Sequence, residues 1–384
     1  MMHNWQELRR QAQRALPAFA FSYVDGGADD EKTLAHNLAV FDRWQFAPSV
    51  LKDASRRDLR CRLGTSQLNA PLLVAPTGYN GMLRHQADLM LARAAAKHGI
   101  GHIQSTVSTA SIEDVAAASS GPRWFQLYVL KDRDVTRDLL QRALRAGCEA
   151  LVLSVDAVHF GNRERDKAHY RRPMKLSYTS LFDIACHPGW LCRTLIPHGM
   201  PGFGNLTRYL PPEYQKGMGA AAYFASQMDR TLSWETLAWI RDLWPGTLYV
   251  KGITHVEDVI AAKQTGADGV VLSNHGGRQL DGCISPMLIL EAARHAAGPD
   301  FTLMIDSGFR RGTDVVKALA LGADAVLLGR PLLYAVACGG EPRVDSTLHT
   351  LIEEIDRTVA QLGCRSLQEL RQVSLLCHRS DPAG

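Results

Sequence analysis

Eight short β-forming runs punctuate the chain: Leu72–Ala75, Ile100–Gln104, Trp124–Val129, Leu151–Val155, Leu248–Val250, Val270–Leu272, Leu303–Ile305 and Val326–Leu328. Most are continuously apolar rather than alternating, as strands of a parallel sheet buried on both faces must be. Between them lie Ala/Leu/Lys/Arg stretches with helical spacing, such as Gln86–His98, Val135–Ala146, Val256–Thr265 and Thr313–Leu321. Three copies of a local pattern, Ala146-Gly147-Cys148-Glu149-Ala150, Thr265-Gly266-Ala267-Asp268-Gly269 and Leu321-Gly322-Ala323-Asp324-Ala325, each precede a strand. Glycine just past a helix accepts the left-handed stop conformation, so all three read as helix-to-strand turns. Eight strand-helix units in series predict a (β/α)8 TIM barrel.

Polar residues gather where the strands end: Pro76-Thr77-Gly78, Ser105, Gln126, Tyr128, Ser154, Asp156, Lys251, Ser273-Asn274-His275, Asp306-Ser307-Gly308 and Gly329-Arg330. In a barrel all of these face the C-terminal mouth, where such folds carry their sites. The competing open doubly wound sheet lacks support, because no Gly-x-Gly-x-x-Gly follows a strand. A length of 384 residues fits one such barrel unit with additions. We expect a cap over residues 1–71, barrel over 72–175 and 217–366, an insertion over 176–216 and a tail over 367–384.

Formal charge is only +4, from 43 basic and 39 acidic residues, with no long run of one sign. That balance excludes nucleic acid as the expected partner and leaves small anions open. Eight cysteines occur without a Cys-x-x-Cys pair, and Cys186, His187, Cys192 and His198 match no standard zinc spacing, so no metal is expected. The first residues lack the apolar core of a secretory signal, and no stretch of about 18 apolar residues could span a bilayer, so a cytoplasmic location is expected.

The strongest chemical signal is Ser273-Asn274-His275-Gly276-Gly277-Arg278-Gln279-Leu280-Asp281. A strand-end histidine can act as a base near neutral pH, and an arginine three residues on can grip a carboxylate with two hydrogen bonds. Asp306 to Thr313 and Leu328-Gly329-Arg330 close the seventh and eighth strands, where barrels commonly hold a phosphate on glycine N–H groups and a helix start. These residues alone leave open a flavin-free phosphate-binding aldolase or isomerase, with Lys251 as Schiff-base amine and His275 as proton shuttle, or a non-catalytic barrel.

The same motifs, with Gly161-Asn162-Arg163-Glu164-Arg165-Asp166 and Asp356 to Cys364, resemble the FMN-dependent 2-hydroxy-acid oxidase and dehydrogenase family from about Leu16 to Ser366. The resemblance implies FMN-dependent oxidation of an (S)-2-hydroxy acid, mandelate-like or lactate-like, to the 2-oxo acid. Electrons would pass to a quinone or another acceptor, or to oxygen in an oxidase. It implies that His275 is the base, oriented by Asp156, and that Arg278 and Arg163 hold the substrate carboxylate while Tyr128 and Tyr23 meet the substrate oxygens. It further implies FMN contacts from Pro76, Thr77, Gly78, Ser105, Gln126, Ser154, Lys251, Ser273, Asp306, Ser307, Gly308, Arg310, Gly329 and Arg330, and a homo-oligomer, a tetramer by family pattern. Two departures stand out: Val107 where several oxidases carry a tryptophan, and Gly78 where they carry alanine.

The insertion between strands four and five has a composition of its own. Over residues 176–207 only Asp183 and Arg193 carry formal charge, beside Leu181, Phe182, Ile184, Trp190, Leu191, Leu195, Ile196 and Phe203. Such a segment would expose a large apolar patch, which marks a membrane or protein contact. Pro188-Gly189-Trp190 and His198-Gly199-Met200-Pro201 resemble the membrane-attaching loop of a membrane-bound family member. The expectation is a peripheral protein on the inner face of the cell membrane; the alternative is a lid or subunit contact in a soluble oligomer.

Overall fold

The computed structural model describes residues 4–172, 175–215 and 218–377. Eight strands close a barrel: β1 (Leu72–Val74), β2 (Gly101–Ser105), β3 (Arg123–Leu127), β4 (Ala150–Ser154), β5 (Thr247–Ile253), β6 (Gly269–Leu272), β7 (Thr302–Ile305) and β8 (Ala325–Leu328). Each pairs in parallel with the next, and Val326 of β8 lies opposite Leu72 of β1 to complete the ring. All eight apolar runs of the sequence are strands. The turns at Gly147, Gly266 and Gly322 take φ of +72°, +92° and +107°, the conformation that only glycine enters without strain.

Alternation along each strand builds two cores. Side chains such as Leu73, Ile103, Trp124, Val152, Tyr249 and Met304 point inward and fill the barrel. Trp124 stacks on Tyr249 at 4.9 Å between ring centroids, and its indole N–H donates to Ser66 Oγ at 2.9 Å. Ser66 belongs to a hairpin, Cys61–Leu63 with Ser66–Leu68, whose Leu63 and Leu68 join this inner core. The opposite faces, including Leu72, Val74, Leu151, Val270 and Leu303, pack against the surrounding helices.

The N-terminal cap is mainly helical, with helices at Trp5–Ala15, Ala18–Asp25 and Lys32–Ala39. Its strand Trp44–Phe46 pairs antiparallel with Leu375–Cys377, so the described part of the tail is tied to the cap. After β8 a helical stretch runs from Arg330 to Gln361, kinked at Gly340 (φ +64°) two residues before Pro342, which cannot donate a backbone hydrogen bond.

The insertion is more ordered than its proline and glycine content suggests. Ser177 caps a helix at Tyr178–Ala185 by accepting from the Ser180 N–H at 3.1 Å, and short helical turns follow at Pro188–Trp190 and Leu191–Leu195. Its apolar residues also do not form one patch. Ile184, Trp190 and Phe203 are buried, whereas Tyr178 and Phe182 (each 73% exposed), Ile196 (70%) and Leu181 (48%) face out. Trp190 turns inward because its indole N–H donates to Met82 O at 2.9 Å and its ring meets Phe19 edge-on. Phe203 is taken up by Tyr79 and Phe224, with ring centroids 5.4 and 6.1 Å away.

Candidate active site

At the C-terminal mouth lies a cavity of about 450 Å³. The segment after β6 shapes its floor: His275, Gly276 and Gly277 take φ of +58°, +65° and +73° in succession. A left-handed histidine costs of the order of 1 kcal/mol and persists only where its surroundings hold it. Here Ser273 Oγ accepts from the His275 N–H (3.0 Å), Ser307 Oγ accepts from the Gly276 N–H (3.0 Å), and the Asn274 side chain exchanges hydrogen bonds of 2.9 Å with Asn37. The turn therefore aims the imidazole into the cavity.

His275 Nδ1 lies 3.1 and 3.0 Å from the two Asp156 carboxylate oxygens, which leaves Nε2 as the ring nitrogen available to the cavity. Burial pushes the Asp156 carboxyl up, but the attraction of His275 and then Lys251 outweighs it and holds the group below the usual carboxylate range. Lys251, 4% exposed, sits between Ser273 Oγ (2.9 Å) and Asp306 Oδ2 (3.0 Å). Burial pulls its ammonium down, yet Asp306 and Asp156 more than compensate, so its affinity for the proton is raised. A Schiff-base lysine must lose its proton to attack a carbonyl, so this geometry opposes the aldolase reading.

Four arginines face the cavity with no ion-pair partner among the described residues, and two of them, Arg278 and Arg163, lie together. Arg278 Nη1 donates to Tyr23 O (2.6 Å) and Gly26 O (3.0 Å), and its guanidinium lies 5.1 Å over the Tyr23 ring. Arg163 Nε reaches Arg278 O at 3.4 Å; burial, and then the neighbouring Arg278 charge, push Arg163 down to about 10. Cations held together in a buried cavity define a place for an anion. Beside them Tyr23 Oη donates to Gly78 O (3.1 Å), and the Tyr128 phenol is raised by burial, with Asp156 adding to the effect.

The other side of the cavity is lined by Pro76, Thr77 and Gly78 after β1, Ser105 at the end of β2, Asp306, Ser307, Gly308 and Arg310 after β7, and Gly329 and Arg330 after β8. Gly308 (φ +101°) allows a close approach that a Cβ would block, 1.9 Å from Asn37 O. Arg330 donates to Val24 O, Gly276 O and Gly26 O at 3.0, 2.9 and 2.8 Å; burial, and then Arg278, lower it to about 9. Gln126, Ser154, Ser273 and Asp156 stand behind the lining rather than on it. Ser105 Oγ donates to Gln126 Oε1 at 3.0 Å, while Gln126 Nε2 and Arg310 Nε are buried donors without an acceptor. Such unmet donors, a buried cation at Lys251 and a glycine-and-arginine rim at the last two strand ends suit a phosphorylated flavin.

Sequence reasoning missed the aromatic part of the wall. Phe160, Tyr170, Phe203 and Phe224 line the cavity, the first two from the segment after β4, Phe203 from the insertion and Phe224 from the helix that follows it. Phe203 was visible only as one apolar residue of the insertion, and Phe224 as part of a helix, Met218–Gln227, with no motif around it. The two departures prove to touch: a Cβ on Gly78 would lie 2.5 Å from Val107 Cγ2.

Fold and site together suit a (β/α)8-barrel oxidoreductase with places for a phosphorylated flavin and a small anion at its mouth. The chain belongs to the FMN-dependent dehydrogenase family, whose family model matches residues 12–376. It is 45% identical over 370 residues to (S)-mandelate dehydrogenase of Pseudomonas putida, covering 96% of this chain and 92% of that one. Among solved structures, the monotopic membrane protein (S)-mandelate dehydrogenase superposes with a TM-score of 0.93 at 44% identity, covering 98% of this chain and 100% of that one. A lactate oxidase of Pediococcus acidilactici gives 0.84 at 32% identity, over 99% and 96% of the two chains. A mandelate oxidase variant crystallised with (S)-mandelic acid gives 0.82 at 30%, over 98% and 99%. This protein is thus an FMN-dependent enzyme, and its resemblance to (S)-mandelate dehydrogenase extends along almost the whole chain.

Proposed function

We propose that this enzyme oxidises an (S)-2-hydroxy acid with an aromatic side chain, of the mandelate class, to the 2-oxo acid. The observation that carries the reading is the His275–Asp156 pair beside the unpaired cations Arg278 and Arg163, in a cavity walled by Phe160, Phe203 and Phe224. Arginine forks bind a planar carboxylate and fix the substrate's orientation. Aromatic walls favour a ring over a methyl group, so mandelate is preferred to lactate.

His275 Nε2 takes a proton from the bound substrate, and Asp156, ionised across the working pH range, stabilises the imidazolium that forms. Tyr128 and Tyr23 hydrogen-bond the substrate oxygens. FMN, when bound, would supply the oxidant, taking up the two electrons and the second proton that the substrate loses as the 2-oxo acid forms. Lys251 would hold a positive charge beside the flavin ring, and Arg310, Arg330 and the backbone at Gly308 and Gly329 would hold the phosphate.

The outward-facing Tyr178, Phe182 and Ile196, with the likeness to a monotopic membrane protein, support peripheral attachment to a membrane; we propose in addition that the enzyme sits on the inner face of the cell membrane and passes electrons to a quinone. No helix among the described residues is long and apolar enough to cross a membrane. We further propose that the enzyme works as a homo-oligomer and that the whole chain, cap and insertion included, acts as one FMN-dependent unit.

Stopped-flow reduction of the FMN-loaded protein by (S)-mandelate tests the assignment. His275→Asn should keep its flavin colour while reduction slows at least ~10²-fold, the lower range of general-base contributions. Reduction at the wild-type rate would remove His275 from the chemistry. Oxygen uptake during turnover with and without a soluble quinone separates the dehydrogenase from the peroxide-forming oxidase.

A further inference from the structure

One buried acid outside the cavity lining anchors the backbone that holds Arg278. Asp25 is the last residue of the cap helix Ala18–Asp25 and is 5% exposed. It accepts from Arg9 Nε and Nη2 at 2.5 and 2.6 Å, from Arg165 Nη2 at 3.0 Å and from the Tyr334 hydroxyl at 2.7 Å. These donors come from three separate elements: the first helix, the segment two residues beyond Arg163, and the helix that begins at Arg330, one turn before Tyr334. Burial pushes the Asp25 carboxyl up, but Arg9, Tyr334 and Arg165 overcome it and hold it at about 2, so the acid is a fixed anion under working conditions.

The backbone on either side of this anion holds the functional arginines. Tyr23 O and Gly26 O accept from Arg278 at 2.6 and 3.0 Å, and Val24 O and Gly26 O accept from Arg330 at 3.0 and 2.8 Å. Carbonyls can orient a guanidinium only if they are themselves immobile, and the end of a helix is otherwise prone to fray. Asp25 does not line the cavity, so it cannot touch the substrate.

We propose that Asp25 is a positioning residue for the substrate carboxylate: by anchoring residues 23–26 to three other elements, it presets Arg278 for the incoming anion. The proposal rests on the hydroxy-acid reading above, in which Arg278 grips the carboxylate. Losing the charge should let the four-residue backbone shift and loosen the clamp, while the Asp156 carboxylate and the Ser273 and Ser307 contacts that hold the His275 turn stay in place.

The test uses the FMN-loaded enzyme, with phenylacetate as an unreactive carboxylate read by its perturbation of the flavin spectrum. Asp25→Asn, nearly isosteric, should weaken phenylacetate binding and raise the KM for (S)-mandelate in parallel by ~10-fold or more, the scale of a lost charge-assisted interaction. kcat should change less than about 3-fold, and Asp25→Glu should recover part of the affinity, because a charge in roughly the right place restores the anchor. A fall in thermal stability with phenylacetate affinity and KM unchanged would mean that Asp25 is structural only, and would overturn the proposal. If Asp25→Asn does not fold, Tyr334→Phe removes a single donor and should still weaken phenylacetate by about 3-fold; unchanged binding there overturns the proposal equally. Wild-type enzyme that binds phenylacetate, with variants that bind it as well, refutes the role of Asp25 alone. Wild-type enzyme that binds no carboxylate refutes the hydroxy-acid reading and this proposal with it.

Discussion

Arg278 shows how much of a single side chain's role is set by what it lacks. Its guanidinium touches two backbone carbonyls and the Tyr23 ring but no carboxylate among the described residues, so its charge is left for a ligand. Arg163 beside it has its proton affinity lowered by burial and by that same charge, a cost that an incoming anion relieves. Arg278→Met keeps most of the apolar stem and removes the fork. Substrate and unreactive carboxylates should both bind about 10- to 150-fold more weakly, corresponding to roughly 1.5–3 kcal/mol for a charge-assisted pair. The amide of the substrate provides the contrast: if it reacts as fast as the acid in the native enzyme, the clamp does not exist.

Among the elements, the insertion divides into two working parts, and a deletion must respect the boundary. From Pro201 onward it is fastened to the barrel: Tyr79 Oη donates to Pro201 O (3.0 Å), the Gly204 N–H donates to Ser108 O (3.0 Å), and Asn205 Nδ2 donates to Ser105 O (3.1 Å). Phe203 lies within that fastened stretch and lines the cavity. The helix at Tyr178–Ala185 instead presents Tyr178, Leu181 and Phe182 outward, and keeps Ile184 and the Asp183 carboxylate, which accepts from the Ala18 N–H at 2.6 Å, toward the cap. Exposed side chains of this size contribute ~1.5–3 kcal/mol each when buried in an apolar phase. Changing Phe182 and Ile196 together to serine should therefore cut partitioning into phospholipid vesicles by about 100-fold, while mandelate still reduces the flavin at close to the native rate. Native protein that leaves vesicles untouched would favour the subunit-contact alternative.

At the level of the whole molecule, a buried histidine outside the cavity lining is expected to weaken the fold between about pH 6.5 and 4. His102 in β2 is 5% exposed, its Nδ1 has no hydrogen-bond partner, and burial lowers its pKa to about 4. In the unfolded chain the same group titrates near 6.5. Below that pH the unfolded state takes up a proton that the native state refuses, so the His102 contribution to stability falls as pH drops from about 6.5 and levels off near 4. The full loss is on the order of 3 kcal/mol, since each tenfold drop in proton affinity on folding is worth about 1.4 kcal/mol. Urea unfolding between pH 7 and 4 should show this decline, and His102→Leu should flatten it; an identical slope in both proteins would place the acid sensitivity elsewhere.

The amino-acid sequence determined the barrel, because a strand buried on both faces has to be apolar throughout and a helix-to-strand turn has to carry glycine; both constraints are local and act at every repeat. It also placed His275, Lys251, Asp306 and Arg330 at strand ends, since the fold sends every strand end to one mouth. Only tertiary structure decided which apolar residues of the insertion face out. Trp190 and Phe203 read the same as Phe182 in a one-dimensional pattern, and they differ because Met82 O and Tyr79 happen to lie within reach. The aromatic wall escaped the sequence for the same reason: Phe160, Phe203 and Phe224 are distant along the chain, carry no motif, and meet only when the loops fold over the mouth. Asp25 is the extreme case, a residue between a tyrosine motif and a diglycine whose meaning depends on Arg9, Arg165 and Tyr334, up to 309 positions away. Periodicity records what a residue's neighbours in sequence require; a buried charge records what its neighbours in space require, and those are set only once the chain has closed on itself.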